Sequence, residues 1–248
     1  MSESIDPSTE LTPPEVEGWF STGGNMVDMA LGNAYSVSYY LLQIIKHTTG
    51  WDPVGDVQNY LGGDWQALLK SAKAAENLAQ FNTAYSDAVV AAVKDFETSW
   101  TGNAASSANE YFKEFTGAID KQHDPLVSIS DTIATFAWDA YGVAQAVQSL
   151  ILELLDLALR WALTQAAAKV ARATTATLYG AAAAAALEAV CLAIVAMMKA
   201  KALEVVRLLG QILAGSAAAV GTLYGLMGSA AELDMPVLHG EYNHPGVI

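Results

Sequence analysis

The side chains best suited to metal chemistry are the four histidines, two of which lie close together near the end of the chain. His239, Glu241 and His244 form a His-x-Glu-x-x-His sequence, which offers three ligands to a zinc ion. Structural zinc sites usually have four ligands, and this segment supplies one too few. His47 and His123 are predicted to lie near helix ends. We therefore interpret His239 and His244 as solvated side chains and predict no metal site.

Other catalytic patterns are absent from the sequence. Asp52, Asp56 and Asp64 flank a glycine-containing loop, but their order and spacing do not match a calcium-binding loop. The chain has no Gly-rich phosphate loop at a strand-to-helix junction and no Gly-x-Ser-x-Gly nucleophile elbow. Almost no segment has the pattern of a strand. We predict a protein that is not an enzyme and needs no cofactor.

The composition is that of a folded and acidic protein. The 248 residues are 53% hydrophobic and 15% charged, enough to bury a core. Lys and Arg number 12 against 26 Asp and Glu, and the resulting net charge of -14 repels phosphate backbones. Nucleic acid is therefore not an expected partner. The single cysteine, Cys191, lies in an Ala/Leu/Val run and is predicted to be a buried thiol.

The first half of the chain is predicted to contain helices after a short tail. Residues 1–12 are polar and are expected to form a mobile N-terminal tail. The first ten residues carry acids instead of the basic and apolar regions of a cleaved signal peptide, so any export is expected to use another route. Pro13-Pro14-Glu15 favours a helix start, and a first helix is predicted over about 16–47.

Two long helical patterns follow and are separated by a Trp-x-Gly sequence. Apolar residues step by three and four over 64–98, with Asp64 as a predicted N-cap. The same spacing returns from Asn103 to about residue 158. Pro125 is expected to kink or divide this return helix. The pattern predicts a helical hairpin domain over 13–172, including the preceding helix, with its tip at 99–102.

The second half is rich in alanine and glycine. After a predicted turn at 173–180, residues 181–198 form an apolar run broken only by Glu188. A second helical hairpin is predicted over 173–233, and an extended tail over 234–248. Small residues recur at four-residue spacing and predict a ridge at which two helices approach closely, in a membrane or in a soluble bundle: Ala217, Gly221, Gly225 and Ser229. Soluble packing is preferred, because alanine is only weakly hydrophobic and Glu188 is costly in lipid.

The predicted fold class is therefore all-α. We expect an elongated antiparallel helical hairpin that is extended by a second, Ala-rich helical hairpin, with about five helices in total. The flat Ala-rich faces of the second half can pack between copies as well as within one chain.

Three short sequences resemble the WXG superfamily of type VII (ESX) secretion substrates. Asp64-Trp65 opens the outbound helix, Trp100-Thr101-Gly102-Asn103-Ala104-Ala105 lies at the bend, and Tyr111-Phe112 lies on the return helix. The resemblance covers about residues 55–160 and is greatest to the long actinobacterial forms, in which the hairpin continues into an Ala-rich helical region. It implies a WXG-like hairpin fold.

The resemblance also implies a function and a set of partners. It implies export without a cleaved signal by a type VII secretion ATPase, from the cytoplasm to the cell surface or medium, as a helical hairpin paired with a partner of similar shape or with itself. Trp100, Gly102 and Tyr111 would be the export and partner-binding residues. The family's export signal, a Tyr followed four residues later by Asp or Glu, is found only at Tyr60 and Asp64, before the first arm instead of after the second.

The expected function is that of a non-enzymatic type VII secretion substrate or component that acts through helix–helix association. One alternative is a membrane-active or pore-forming helical protein, because 18 apolar residues just reach the length that spans a bilayer. A further alternative is a delivery or partner-binding domain for a separately encoded toxin.

Overall fold

A computed structural model of the protein describes residues 6–16, 46–47, 50, 64–173, 178–232 and 235–236. These residues are 89% helical and contain no strand. After a 3-10 helix at Pro7–Glu10, the α-helices with described bounds are α1 (Trp65–Glu97), α2 (Asn103–Asp120), α3 (His123–Ala173) and α4 (Leu178–Ala231). The predicted all-α class is confirmed. The bounds of the helix predicted over 16–47 and almost all of the tail predicted over 234–248 lie outside the described residues.

The break between α2 and α3 lies just before Pro125, which was expected to kink or divide the return helix. Pro125 occupies the third position of α3, in the first turn, where its missing N–H removes no intrahelical hydrogen bond. The interruption is short, because the Gln122 N–H donates to the Ile119 carbonyl at 3.0 Å and the Leu126 N–H donates to the Gln122 carbonyl at 3.2 Å. The prediction that Pro125 divides the return helix is confirmed.

α4 corrects the prediction for the second half of the chain. Leu178–Ala231 is one continuous helix of 54 residues, so the helical hairpin predicted within 173–233 is wrong. The sequence contains no proline over this range, and a single glycine in a helix costs only about 1 kcal/mol relative to alanine. Isolated glycines such as Gly215 and Gly221 therefore do not end a helix built from alanine and leucine.

The chain divides into two compact units, and unit 1 contains both sides of the predicted tip. It consists of Met1–Glu17, Gln66–Ala137 and Ser216–Ile248. Its buried residues are mostly small, and several are polar: Leu69, Ala72, Ala79, Ala105, Ala118, Ile119, Ala137, Asn77, Asn82, Ser86, Thr116 and Ser130. Small side chains let these helices approach closely, and the buried amides are paired.

Side-chain amides hold the segments of unit 1 together. Asn77 on α1 donates to the Thr12 carbonyl at 3.0 Å. Asn82 donates to the Gln122 side chain at 3.0 Å, and Gln122 donates to the Ala230 carbonyl of α4 at 2.9 Å. Because unmet buried polar groups are costly, these bonds specify which segments meet.

Unit 2 consists of Gly18–Trp65 and Trp138–Gly215, and its described part is an α3–α4 pair. Val147, Leu150 and Leu208 are buried together, with Val143, Ile151 and Val205 packed against them. Two ion pairs join the helices, Lys201 with Glu153 at 2.5 Å and Arg172 with Glu188 at 2.6 Å. Cys191 is a buried free cysteine, as predicted.

Candidate interaction site

The bend between α1 and α2 is fixed by its main chain and leaves its tryptophan open. The N–H groups of Ser99 and Trp100 both donate to the Phe96 carbonyl, at 3.0 and 2.9 Å. Gly102 precedes α2 with φ 105° and ψ -178°, a conformation that glycine adopts without strain. Gly102 takes the N-cap position of α2, and Asn103 is the first residue of the helix. The Trp100 side chain is 47% exposed.

Tyr111 does not join Trp100 but belongs to an aromatic row between α1 and α2. Its ring stacks on Phe115 with centroids 6.2 Å apart and meets Phe112 edge to face at 5.4 Å. Phe115 in turn contacts Tyr85 of α1 at 6.4 Å. Such aromatic pairs add to the energy of burial, so Tyr111 supports the contact between the two helices.

An open cleft of about 360 Å³ lies between α1 and α2 within unit 1. Its apolar lining is Val89, Val90, Val93 and Phe112, and its polar lining is Lys94, Lys113, Glu97, Asn109 and Thr116. The Asn109 amide donates to the Glu97 carboxylate at 2.7 Å, which ties the two helices together beside the bend. An apolar cleft with two lysines suits an apolar side chain followed by a carboxylate.

Sequence reasoning missed this cleft. Val89 and Val93 belong to the apolar stripe predicted over 64–98, and that stripe did not include Val90. The one signal in the sequence is that Val90 and Lys94 are spaced by four, which places a cation on the same face as an apolar side chain. That spacing is common in soluble helices and does not distinguish a cleft.

The predicted small-residue ridge lies on the exposed side of α4. Ala217, Gly221, Gly225 and Ser229 are all exposed. A Cβ atom added to Gly221 or Gly225 would meet no atom within 4 Å, so neither glycine is at a close helix approach in this structure. The packing role of the ridge remains a prediction.

Large apolar side chains are exposed along both long helices. On α3 they include Leu163 and Val170, and on α4 they include Leu192, Leu203, Val206, Leu213 and Tyr224. The stretches Asn103–Ala173 and Gly180–Ala231 are long and apolar enough to cross a membrane by length and composition, with mean hydropathy of 1.4 and 2.2 in their most apolar windows. Core helices of soluble proteins pass the same test when they are mostly buried. Here only 11% and 17% of these windows are buried.

Charged groups on the described residues form ion pairs at the surface. The Arg207 guanidinium donates to the Glu204 carboxylate at 3.0 Å, which lowers the pKa of Glu204 and raises the pKa of Arg207. Among the described residues no group of three or more His, Cys, Asp or Glu side chains is placed to hold a metal ion. His239, Glu241 and His244 lie outside these residues.

Comparison with known proteins adds no relative. A scan against family models and searches of curated proteins and of solved structures each found no match. The bend, the cleft and the exposed apolar faces are therefore the features of the molecule that suggest a function.

Proposed function

We propose that this protein is a non-enzymatic type VII secretion substrate or component that binds a helical-hairpin partner, or a second copy, through the α1–α2 end of unit 1. The observation that carries this proposal is the exposure of Trp100 beside Gly102. A large aromatic ring at a turn is usually covered when its only role is to pack a core. Aromatic side chains that stay partly open are enriched at protein interfaces.

The surroundings of Trp100 support a binding role. Phe96, next to the bend, is 59% exposed, and the cleft lined by Val93 and Phe112 lies between the same two helices. Lys94 and Lys113 outnumber Glu97 in the lining of the cleft, which gives it a positive balance on a chain whose net charge is negative. A partner helix or tail with an apolar residue and an acid complements this surface.

An export assay tests the proposal. The full chain with an epitope tag is expressed in an actinobacterium that has a type VII secretion ATPase and in the matched strain without that ATPase. We expect the wild-type chain in the culture medium or cell-surface fraction only when the ATPase is present. Trp100→Ala should reduce that fraction at least tenfold.

Trp161→Ala is the matched control, because Trp161 is 39% exposed and lies on α3 in unit 2. It should be exported like the wild-type chain. Thermal unfolding of each purified variant checks that Trp100→Ala still folds. Equal export of the two variants, or export in the strain without the ATPase, would contradict the proposal.

A second candidate function is membrane association, which the low burial of the apolar window in α4 favours. Under this function the purified chain should float with phosphatidylcholine vesicles in a density gradient. Glu188 argues against it, since a carboxylate in lipid is costly even when paired with Arg172. A chain that stays in the dense fraction at all lipid concentrations would exclude this function.

A further inference from the structure

α4 carries two rows of residues with the same heptad spacing, of which we call the first the inner seam. Its residues are buried or half-buried and alternate in steps of three and four: Cys191, Ile194, Met198, Lys201, Val205 and Leu208. Leu208 and Val205 belong to the apolar cluster with Val147 and Leu150 of α3, and Lys201 pairs with Glu153. The inner seam therefore shows that this spacing packs α4 against another helix.

The second row, the outer seam, repeats this spacing on an exposed face. Its large side chains are 50% to 75% exposed: Leu203, Val206, Leu213, Val220, Tyr224 and Met227. Gly210, Ala217 and Ala231, which are also exposed, complete the steps of three and four without a gap. All the residues of the outer seam between 203 and 231 are therefore apolar or small, and the hydroxyl of Tyr224 is the one polar group among their side chains.

The spacing of the outer seam is compatible with a second helix as its partner. A row that repeats every 3.5 residues stays in contact with a second helix through a supercoil, with each side chain inserted between four residues of the other helix. The outer seam meets this requirement. Between Arg207 and Glu232 every other face of α4 is also free of charged residues, so the choice of a helix as the partner depends on the order of large and small residues along the seam.

The order of large and small residues favours α4 of a second copy in the antiparallel direction. When Val220 of one copy faces Tyr224 of the other, Ala217 faces Met227 and Leu213 faces Ala231. Over 213–231, large side chains then face small ones on both sides of the two-fold axis, which is the arrangement that fills a helix interface without voids. Leu203, Val206 and Gly210 lie outside this contact, because α4 of the second copy ends at Ala231. In a parallel pair the small residues would face each other and leave gaps.

Charge is compatible with this pairing. Between Arg207 and Glu232 the helix has no Asp, Glu, Lys, Arg or His. Two chains of net charge -14 can therefore meet along this stretch without placing like charges opposite each other. The exposed glycines beside the seam, Gly221 and Gly228, add no side chain that would hold the helices apart.

We propose that the protein forms a dimer in which residues 213–231 of the outer seam of α4 pack antiparallel against the same residues of a second copy. This surface on α4 is separate from the α1–α2 end of unit 1, to which the proposed function assigns partner binding. It does not involve Trp100 or the cleft, so dimerisation of the purified chain and export from cells can fail independently.

Sedimentation equilibrium of the full chain tests the seam. The wild-type protein should be a dimer, and Val220→Glu/Met227→Glu should weaken dimerisation at least tenfold. The control is Gln211→Glu/Ala218→Glu, which adds the same charge at the same seven-residue separation on exposed positions of α4 outside the seam. The control should dimerise within about threefold of wild type, since only the seam is altered in the first variant.

Cross-linking tests the direction of the helices in a Cys191→Ser background. With Val220 facing Tyr224, the two copies of residue 220 lie about 6 Å apart along the axis, and the two copies of residue 203 lie about 55 Å apart. A short bis-maleimide should therefore link Val220→Cys dimers but not Leu203→Cys dimers. Efficient linking of both would show a parallel pair and overturn the antiparallel arrangement.

Three other results would overturn the proposal. They are a wild-type chain that is monomeric at about 100 µM, equal weakening by the seam and control variants, and a monomeric chain that floats with phosphatidylcholine vesicles. The last would assign the outer seam to lipid.

Discussion

At the scale of single residues, Gly102 and Trp100 have different roles in the bend. Gly102 permits the reversal because its backbone lies in a region that is almost closed to residues with a Cβ atom. The main-chain N–H of Trp100 donates to the Phe96 carbonyl, yet 47% of the surface of Trp100 is exposed to solvent. The fold therefore requires the glycine more than it requires the tryptophan, and the tryptophan is available for binding.

Gly102→Ala tests this division. Nothing lies within 4 Å of the added Cβ, so the whole cost is backbone strain, and we expect a loss of about 1–3 kcal/mol in the free energy of unfolding. Urea unfolding followed by circular dichroism measures it. Gly117→Ala is the control, because Gly117 lies inside α2 and also has no atom near an added Cβ. This substitution should raise the free energy of unfolding by up to about 1 kcal/mol, since alanine has the higher helix propensity. Equal effects of the two substitutions would refute the strain argument.

The residues of the candidate site differed in how far the sequence could specify them. The Trp-x-Gly pattern between two apolar stripes located the bend, because turn chemistry depends on neighbouring residues. The cleft beside it depends on how far apart α1 and α2 lie at Val93 and Phe112. That distance is set by aromatic contacts such as Tyr85 with Phe115, which single-helix periodicity does not contain.

At the scale of elements, helix starts and breaks were predicted where one residue controls them. The Pro125 break and the end of α1 before the Trp-x-Gly sequence are of this kind. The hairpin predicted within 173–233 was wrong, because Leu178–Ala231 is one continuous helix. α4 has no proline, and residues such as Val205 and Leu208 pack it against α3, so helix propensity and tertiary contact both favour one continuous helix.

The two seams of α4 also explain why hydrophobic periodicity alone did not predict the structure of the second half of the chain. A helix with apolar residues on two faces has little contrast between its sides, so its pattern resembles a buried or membrane-spanning segment. Exposure separates the two rows: Leu208 is buried on the inner seam, whereas Leu213 on the outer seam is 71% exposed. The composition of α4 alone does not show which surface packs against the inner seam or the outer seam.

At the scale of the whole molecule, the strong negative charge opposes association while the outer seam favours it. Two chains of -14 repel each other through solvent, but no charged residue lies on α4 between Arg207 and Glu232. Dimerisation through the outer seam should then be limited by long-range repulsion and not by contacts in the interface.

Salt therefore discriminates between an apolar interface and one held by ion pairs. Raising NaCl from about 0.1 to about 1 M shortens the screening length from about 10 Å to about 3 Å, so the repulsion falls and the dimer should tighten several-fold. Sedimentation equilibrium at both concentrations measures the change. The Gln211→Glu/Ala218→Glu control carries two more negative charges per chain and should gain more from salt than the wild type. An interface that depended on pairs such as Arg207 with an acid of the second copy would weaken instead, because screening reduces attraction as it reduces repulsion.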